Sequence, residues 1–182
     1  MLTLQQLGIV QGSFQITSLS QPFDNPLQAF QQFLANAAAS GTKLRTIIYG
    51  CTLKQFFDGV IEAKKAGCDV KVLFDHTQAA GRAEKSEIEA LVQAGLRDGI
   101  DFLIGTSPEH HQILHQKATT IWAPSKIPTT LLGSWNYSES ASYQANNFVL
   151  IESEPLAQQQ EQLFNSIWDF VNKNEQSYQA TI

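Results

Sequence analysis

Four polar residues stand in two short runs at a spacing that suits phosphate chemistry: His115 and Lys117, then Ser134 and Asn136. In an extended strand alternate side chains share a face, so the members of each pair are expected to point the same way. Together they supply an imidazole, an ammonium, a hydroxyl and an amide. That set can hold a phosphate group and attack it, the imidazole as nucleophile and the others as hydrogen-bond donors to the phosphate oxygens. Gly133, just ahead of Ser134, lets the backbone come close. On spacing alone a second reading stands beside this one, because a histidine in a half-buried strand is also an ordinary structural side chain.

The elements that must position these residues follow from hydrophobic period and stop signals. Asp24-Asn25-Pro26 is a helix start, and Leu27, Phe30, Phe33, Leu34 and Ala37 follow at helical spacing up to Gly41. Leu44 to Tyr49 reads as a short apolar strand. Thr52 then serves as cap for a helix whose buried stripe is Phe56, Phe57, Val60 and Ile61, stopped at Gly67. Val70 to Phe74 is the next strand, a loop runs from Asp75 to Arg82, and a helix carries Ile88, Leu91 and Val92 as far as Gly95. Ile100 to Ile104 is expected as a strand, which completes a β-α-β-α-β start. Three more strands are expected at Ile113 to Trp122, Thr129 to Trp135 and Phe148 to Glu152. A long helix closes the chain behind Pro155, with Leu156, Leu163, Ile167, Phe170 and Val171 on its apolar side. The fold class is therefore α/β, a mixed β-sheet flanked by helices on both faces. The first dozen residues are rich in glutamine and read as an arm or an added strand, with weak strand alternation from Ser13 to Leu19.

The run His115-Gln116-Lys117 followed by Gly133-Ser134-Trp135-Asn136 resembles the phospholipase D superfamily, and most closely its bacterial single-motif endonucleases, whose pattern is H-x-K and then G-S-x-N about fifteen residues later. The segments Ala63-Lys64-Lys65-Ala66-Gly67, Val70 to Asp75 and Phe164-Asn165-Ser166-Ile167-Trp168 also look like their counterparts, so the resemblance covers roughly Leu27 to Lys173. It implies a phospholipase D-like domain over 25–175, with an arm or extra strand at 1–24 and a tail at 176–182. It also implies a two-step hydrolysis without metal or other cofactor. One histidine attacks phosphorus to give a phosphohistidine, the histidine of a second motif protonates the leaving group, and water completes the reaction. This chain holds one copy of the motif, so a homodimer with its two-fold axis through the site is expected to supply the second. His115, Lys117, Ser134 and Asn136 are the catalytic residues that the resemblance carries over.

In two places the sequence departs from the family pattern. Trp122 occupies the position of the usual aspartate, and where the nuclease branch has a glutamate that orients the imidazole this chain reads Ala145-Asn146-Asn147. Asn146 is accordingly expected to orient His115 through its amide oxygen, as an asparagine does in Cys-His-Asn proteases. His76, Gln78 and Arg82 lie in a loop that, by the resemblance, borders the cleft, and are candidates for substrate contact, as is Lys85 for a flanking phosphate; an ordinary solvated loop is the other reading. His110 and His111 read as surface residues and Trp135 as core. Glu84, Glu87 and Glu89 read as a solvated helix face.

Composition limits the partners. The 182 residues suit one domain, 43% of them hydrophobic, and the formal net charge of -5 rules out a global positive field that would recruit nucleic acid. An anion site must be local. Cys51 and Cys68 fall in segments that read as core, and both are expected to be reduced and packed. No apolar run approaches the ~20 residues that span a bilayer and no basic leader opens the chain, so a soluble cytoplasmic protein without stable membrane association is expected. The resulting expectation is a dimeric, metal-independent phosphodiesterase acting on nucleic acid. The alternatives are a phospholipase D-like binding or regulatory module with a weak or inactive site, and a phospholipid phosphodiesterase.

Overall fold

The computed structural model describes residues 14–20, 24, 26–108 and 111–174. The expectations for the first dozen residues, Asn25, His110 and the tail lie outside these. The elements run β1 (Gln15–Ser20), α1 (Pro26–Ser40), β2 (Lys43–Ile48), α2 (Lys54–Lys65), β3 (Asp69–Asp75), α3 (His76–Ala79), α4 (Arg82–Gln93), β4 (Phe102–Gly105), β5 (Lys117–Trp122), β6 (Thr129–Gly133), a 3-10 turn (Ser140–Tyr143), β7 (Asn147–Glu152) and α5 (Glu154–Asn174). The strands form one sheet in the order β1-β7-β6-β5-β2-β3-β4. Strands β2, β3 and β4 are parallel, as crossover helices demand, while β5, β6, β7 and β1 join antiparallel.

Period-2 alternation sends the two sides of each central strand into separate cores. Leu44, Ile48, Val70, Val72, Phe74 and Phe102 pack with Phe30, Leu34, Phe56, Phe57, Val60 and Leu91 of α1, α2 and α4. Ile47, Leu73 and Leu103 face α5 through Phe164, Ile167, Trp168 and Val171. The mixed sheet with helices on both faces is therefore what forms. Gly67 and Gly95 end α2 and α4 in the left-handed region, at φ 91° and 93°, where a side chain would be strained. Cys51 and Cys68 are free and buried. Among the described residues no helix is long and apolar enough to cross a membrane.

Several expected boundaries move, each for a local reason. The residue that precedes α2 is Leu53, without a side-chain cap, because Thr52 and Leu53 both donate their amides to Tyr137 O across the sheet end. The expected loop after β3 contains α3, nucleated by the Asp75 carboxylate, which accepts from the amides of Thr77 and Gln78. Val92 and Ile100 are 54% and 48% exposed instead of buried, since the stripe of α4 ends at Leu91 and β4 starts only at Phe102. Residues 113–116 are not strand: the Leu114 amide donates 2.7 Å to Asp75 Oδ2 rather than to a neighbouring strand. Ser134 and Trp135 likewise lie past the end of β6. Glu84 is not on a solvated face; it is 2% exposed.

Candidate active site

The motif residues gather at one edge of the sheet, where β2, β3 and β6 finish and β5 begins. Register accounts for this: Ile48 pairs with Lys117 and Ala118 with Leu132, so the end of β2, the start of β5 and the end of β6 are neighbours. Open α/β sheets bind their ligands at such strand ends, where side chains leave the ladder and backbone groups are free to turn.

His115 is exposed and Lys117 is buried, 6% accessible. Their common organiser is Tyr49, the first residue after β2. The Tyr49 ring meets the His115 ring edge-on, centroids 4.6 Å apart, and the Lys117 ammonium lies 4.8 Å from the same ring centroid. Lys117 Nζ also donates 2.9 Å to His115 O, which ties the ammonium to the backbone of the nucleophile candidate. Tyr49 N donates to Gln116 O at 2.9 Å, and Gln78 Nε2 donates to the Tyr49 hydroxyl at 3.0 Å. Burial pulls the Lys117 pKa down from its usual value, and the nearby charge of Asp75 opposes that shift. A phosphate anion arriving at this ammonium would replace the hydration it has lost.

The second half of the site is stitched to the same strand end. Tyr137 N donates to Gly50 O at 3.0 Å, and a Cβ placed on Gly50 would stand 3.5 Å from Asn136 Cγ. Asn136 is therefore packed against the residue that follows Tyr49, and its buried Oδ1 makes no hydrogen bond among the described residues. Ser134 Oγ donates to Asn146 Oδ1 at 3.2 Å and to Asn147 Oδ1 at 3.1 Å, and accepts from Asn147 N at 3.2 Å. Asn146 Nδ2 in turn donates to Ala141 O at 2.9 Å. The Asn146 amide is thus engaged with Ser134 and the 3-10 turn. At Gly133 a Cβ would fall 2.3 Å from Asn147 O, so only glycine allows β6 and β7 to pair this closely.

The remaining candidates separate. Gln78 reaches the site through Tyr49, and His76 stands half-buried in the same short helix α3. Arg82 opens α4 as an exposed residue, as Lys85 follows half-buried, and neither has a hydrogen-bonded side chain or an ion pair among the described residues. Trp122 ends β5 with the Lys43 ammonium 4.2 Å from its ring centroid, at the opposite end of the strand from Lys117, roughly 17 Å away at strand rise. Trp135 is fully buried against Phe30, Tyr137 and Phe148. Among the described residues no three His, Cys, Asp or Glu side chains gather in a metal-binding cluster.

The sequence reading missed Tyr49, Asp75 and Glu84. Tyr49 reads as the last residue of a strand, and only its register against Gln116 brings it to His115. The two buried carboxylates both hold backbone amides beside the site. Asp75 accepts from Leu114 N, one residue before His115, and Glu84 Oε2 accepts from Cys51 N at 2.8 Å. Burial, reinforced by the charge of Asp75, pushes the Glu84 carboxyl up to about 8, against the Cys51 amide, which lowers it.

Fold and site together define a phospholipase D-like domain. The chain belongs to the phospholipase D superfamily, matching over residues 30–168 the family described as cardiolipin synthase, PLD-like domain. Among solved structures it is similar to Nuc, a phospholipase D family member from Salmonella typhimurium, with a TM-score of 0.69 and 21% identity over 86% of this chain and 95% of that one. It is similar also to NucT from Helicobacter pylori, with a TM-score of 0.70 and 14% identity over 86% and 97% of the two chains. Polyphosphate kinase from Porphyromonas gingivalis shares the fold over 84% of this chain but 26% of its own length, with a TM-score of 0.65 and 15% identity. At these identities the likenesses concern the fold. No curated protein sequence matches the chain.

Proposed function

We propose that the protein is a metal-independent phosphodiesterase that hydrolyses nucleic-acid phosphodiester bonds, with an active site shared across a homodimer. The observation that carries this reading is the exposed imidazole of His115 set on Tyr49 beside the buried ammonium of Lys117. An accessible nucleophile next to a desolvated cation suits attack on an anionic phosphorus centre.

In the first step a ring nitrogen of His115 bonds to phosphorus and the P–O bond to the leaving alcohol breaks; that oxygen takes a proton from His115 of the partner subunit. Lys117 and Asn136 donate to the non-bridging oxygens as charge builds on them. In the second step water attacks the phosphohistidine, gives its proton to His115 of the partner subunit, and releases a phosphomonoester with the first imidazole restored. This chain carries a single motif, which supports a second copy as the source of the acid; an isologous dimer supplies it symmetrically. Asn146 acts on this reading through Ser134, which it holds in place.

A second reading, in which the diester is a phospholipid, is supported by the match to the family described as cardiolipin synthase, PLD-like domain. One experiment addresses both. The purified protein is incubated in EDTA with DNA, RNA, bis(4-nitrophenyl) phosphate and phospholipid vesicles, beside His115→Ala, and its mass is followed by sedimentation. Cleavage of the nucleic acid or the aryl diester that is lost in the variant and accompanies the dimer is expected. Cleavage of lipid alone selects the second reading. Turnover that requires added metal, that survives in His115→Ala, or that persists in a monomer refutes the mechanism.

A further inference from the structure

The peptide unit between Gly50 and Cys51 is held at both ends. Its carbonyl, on Gly50, accepts from Tyr137 N at 3.0 Å, and its amide, on Cys51, donates to Glu84 Oε2 at 2.8 Å. Other amides of this segment point elsewhere: Tyr49 N, two residues earlier, to Gln116 O, and Thr52 N and Leu53 N, which follow, to Tyr137 O. Because a peptide is planar, fixing its N–H fixes the direction of its C=O. That carbonyl in turn anchors the backbone directly after Asn136, while Gly50 itself lies against the Asn136 side chain, where a Cβ would be 3.6 Å from Oδ1.

Glu84 is an expensive way to satisfy one buried amide. The side chain is 2% exposed, and its second oxygen, Oε1, has no hydrogen bond among the described residues. The charged and titratable groups around it are Asp75 from β3, which acts on the carboxyl itself, the Cys51 thiol, three residues past the end of β2, and Glu87 from its own helix, which acts on that thiol; none of these is a cation that would compensate a buried carboxylate. A neutral acceptor, or a loop that turned this amide to another carbonyl, would serve stability better.

We propose that Glu84 is a positioning residue for the phosphate site: through the Gly50–Cys51 peptide it sets the plane on which the Asn136 amide is mounted. The inference rests on reading Asn136 as a phosphate-binding group. A purely structural carboxyl would be missed by the whole domain when removed; a positioning one is missed by Asn136.

The test uses the full chain, with Glu84→Gln, which keeps an acceptor for Cys51 N, and Glu84→Met, which keeps the length and removes the acceptor. Three quantities are read: the melting temperature, the side-chain amide resonances of Asn136 in 1H–15N spectra (assigned by their loss in Asn136→Asp), and the affinity for inorganic phosphate. Glu84→Gln is expected to leave the Asn136 resonances in place and phosphate binding within about twofold of wild type. At about pH 7.5 Glu84→Met is expected to melt close to the wild-type temperature, because relief of the carboxyl's desolvation offsets the amide left without an acceptor, yet to shift the Asn136 resonances and weaken phosphate binding by about tenfold. Unchanged Asn136 resonances in Glu84→Met overturn the inference. So does a Glu84→Met chain that fails to fold, or a Glu84→Gln chain that behaves as Glu84→Met. A wild-type protein that turns over no diester fails the hydrolase reading alone, because the Asn136 resonances still decide the role of Glu84.

Discussion

Replacing Glu84 by glutamine should remove a slope from the pH dependence of folding stability. In the native protein the carboxyl titrates near 8, against an ordinary value of 4.5, chiefly because burial penalises its charged form. Below about pH 4.5 the group is protonated in both native and unfolded chains and contributes no slope. Between the two values the native chain keeps a proton that the unfolded chain has released, so stability falls as pH rises, by about 1.4 kcal/mol per pH unit. Above about 8 both forms are ionised and the full penalty, roughly 5 kcal/mol as an upper bound, is in place. Glutamine never ionises, and its unpaired amide resembles the unpaired O–H of the protonated acid. Urea unfolding of both proteins at about pH 5.5 and 7.5, at one fixed protein concentration, isolates the effect, since every other titrating group cancels in the comparison. The stability of wild type relative to Glu84→Gln should drop by about 3 kcal/mol across that interval. A difference that stays constant within about 0.5 kcal/mol would mean that Glu84 is ionised throughout and solvated, contrary to its burial.

Two other substitutions bear on the geometry of the site. Gly133→Ala puts a Cβ 2.3 Å from Asn147 O and 2.6 Å from Phe148 Cα, both backbone atoms that cannot swing aside, and should destabilise by about 2 kcal/mol or more in thermal or urea unfolding; a neutral result would show that β6 and β7 can separate there. Tyr49→Phe loses only the bond from Gln78 and should keep activity within about threefold, whereas Tyr49→Ala strips the ring from His115 and Lys117 and should lower kcat by about tenfold in the aryl diester assay. Equal activity of the two variants would remove Tyr49 from the organisation of the site.

What could be read from the sequence was whatever depended on neighbours along the chain. The parallel half of the sheet followed from local period and from glycine stops, and Gly67 and Gly95 stand where those signals put them. The long α5 was legible for the same reason. Strand ends near the site were not, because their boundaries are decided by groups distant in sequence. Ile113 and Leu114 read as strand, but the Leu114 amide finds the Asp75 carboxylate before it finds a ladder. Thr52 reads as a cap, but its amide is taken by Tyr137 O. Glu84 shows the limit most clearly. An acidic residue among other acidic residues on a helix reads as solvated, and only the Cys51 amide, which it satisfies from another element, explains why it is drawn inside. The motif residues were legible by type and spacing, whereas Tyr49 and the two carboxylates that hold the Leu114 and Cys51 amides beside them belong to tertiary structure alone.

The junction of Tyr49 with Gln116 has a kinetic side as well. Between them lie α2, β3, α3, α4 and β4, all of which can form from contacts close in sequence. Closing so long a loop is entropically costly, so the antiparallel pairing of β2 with β5 is expected to follow the parallel units rather than to nucleate them, which φ-values near zero for β5 substitutions would show. An intermediate holding the helices and the parallel strands would have every core residue of that half in place and still no cleft. His115 meets Tyr49, and Asn136 meets Gly50, only when the two halves of the chain zip together, so the site is expected to be among the last features of the native state to form.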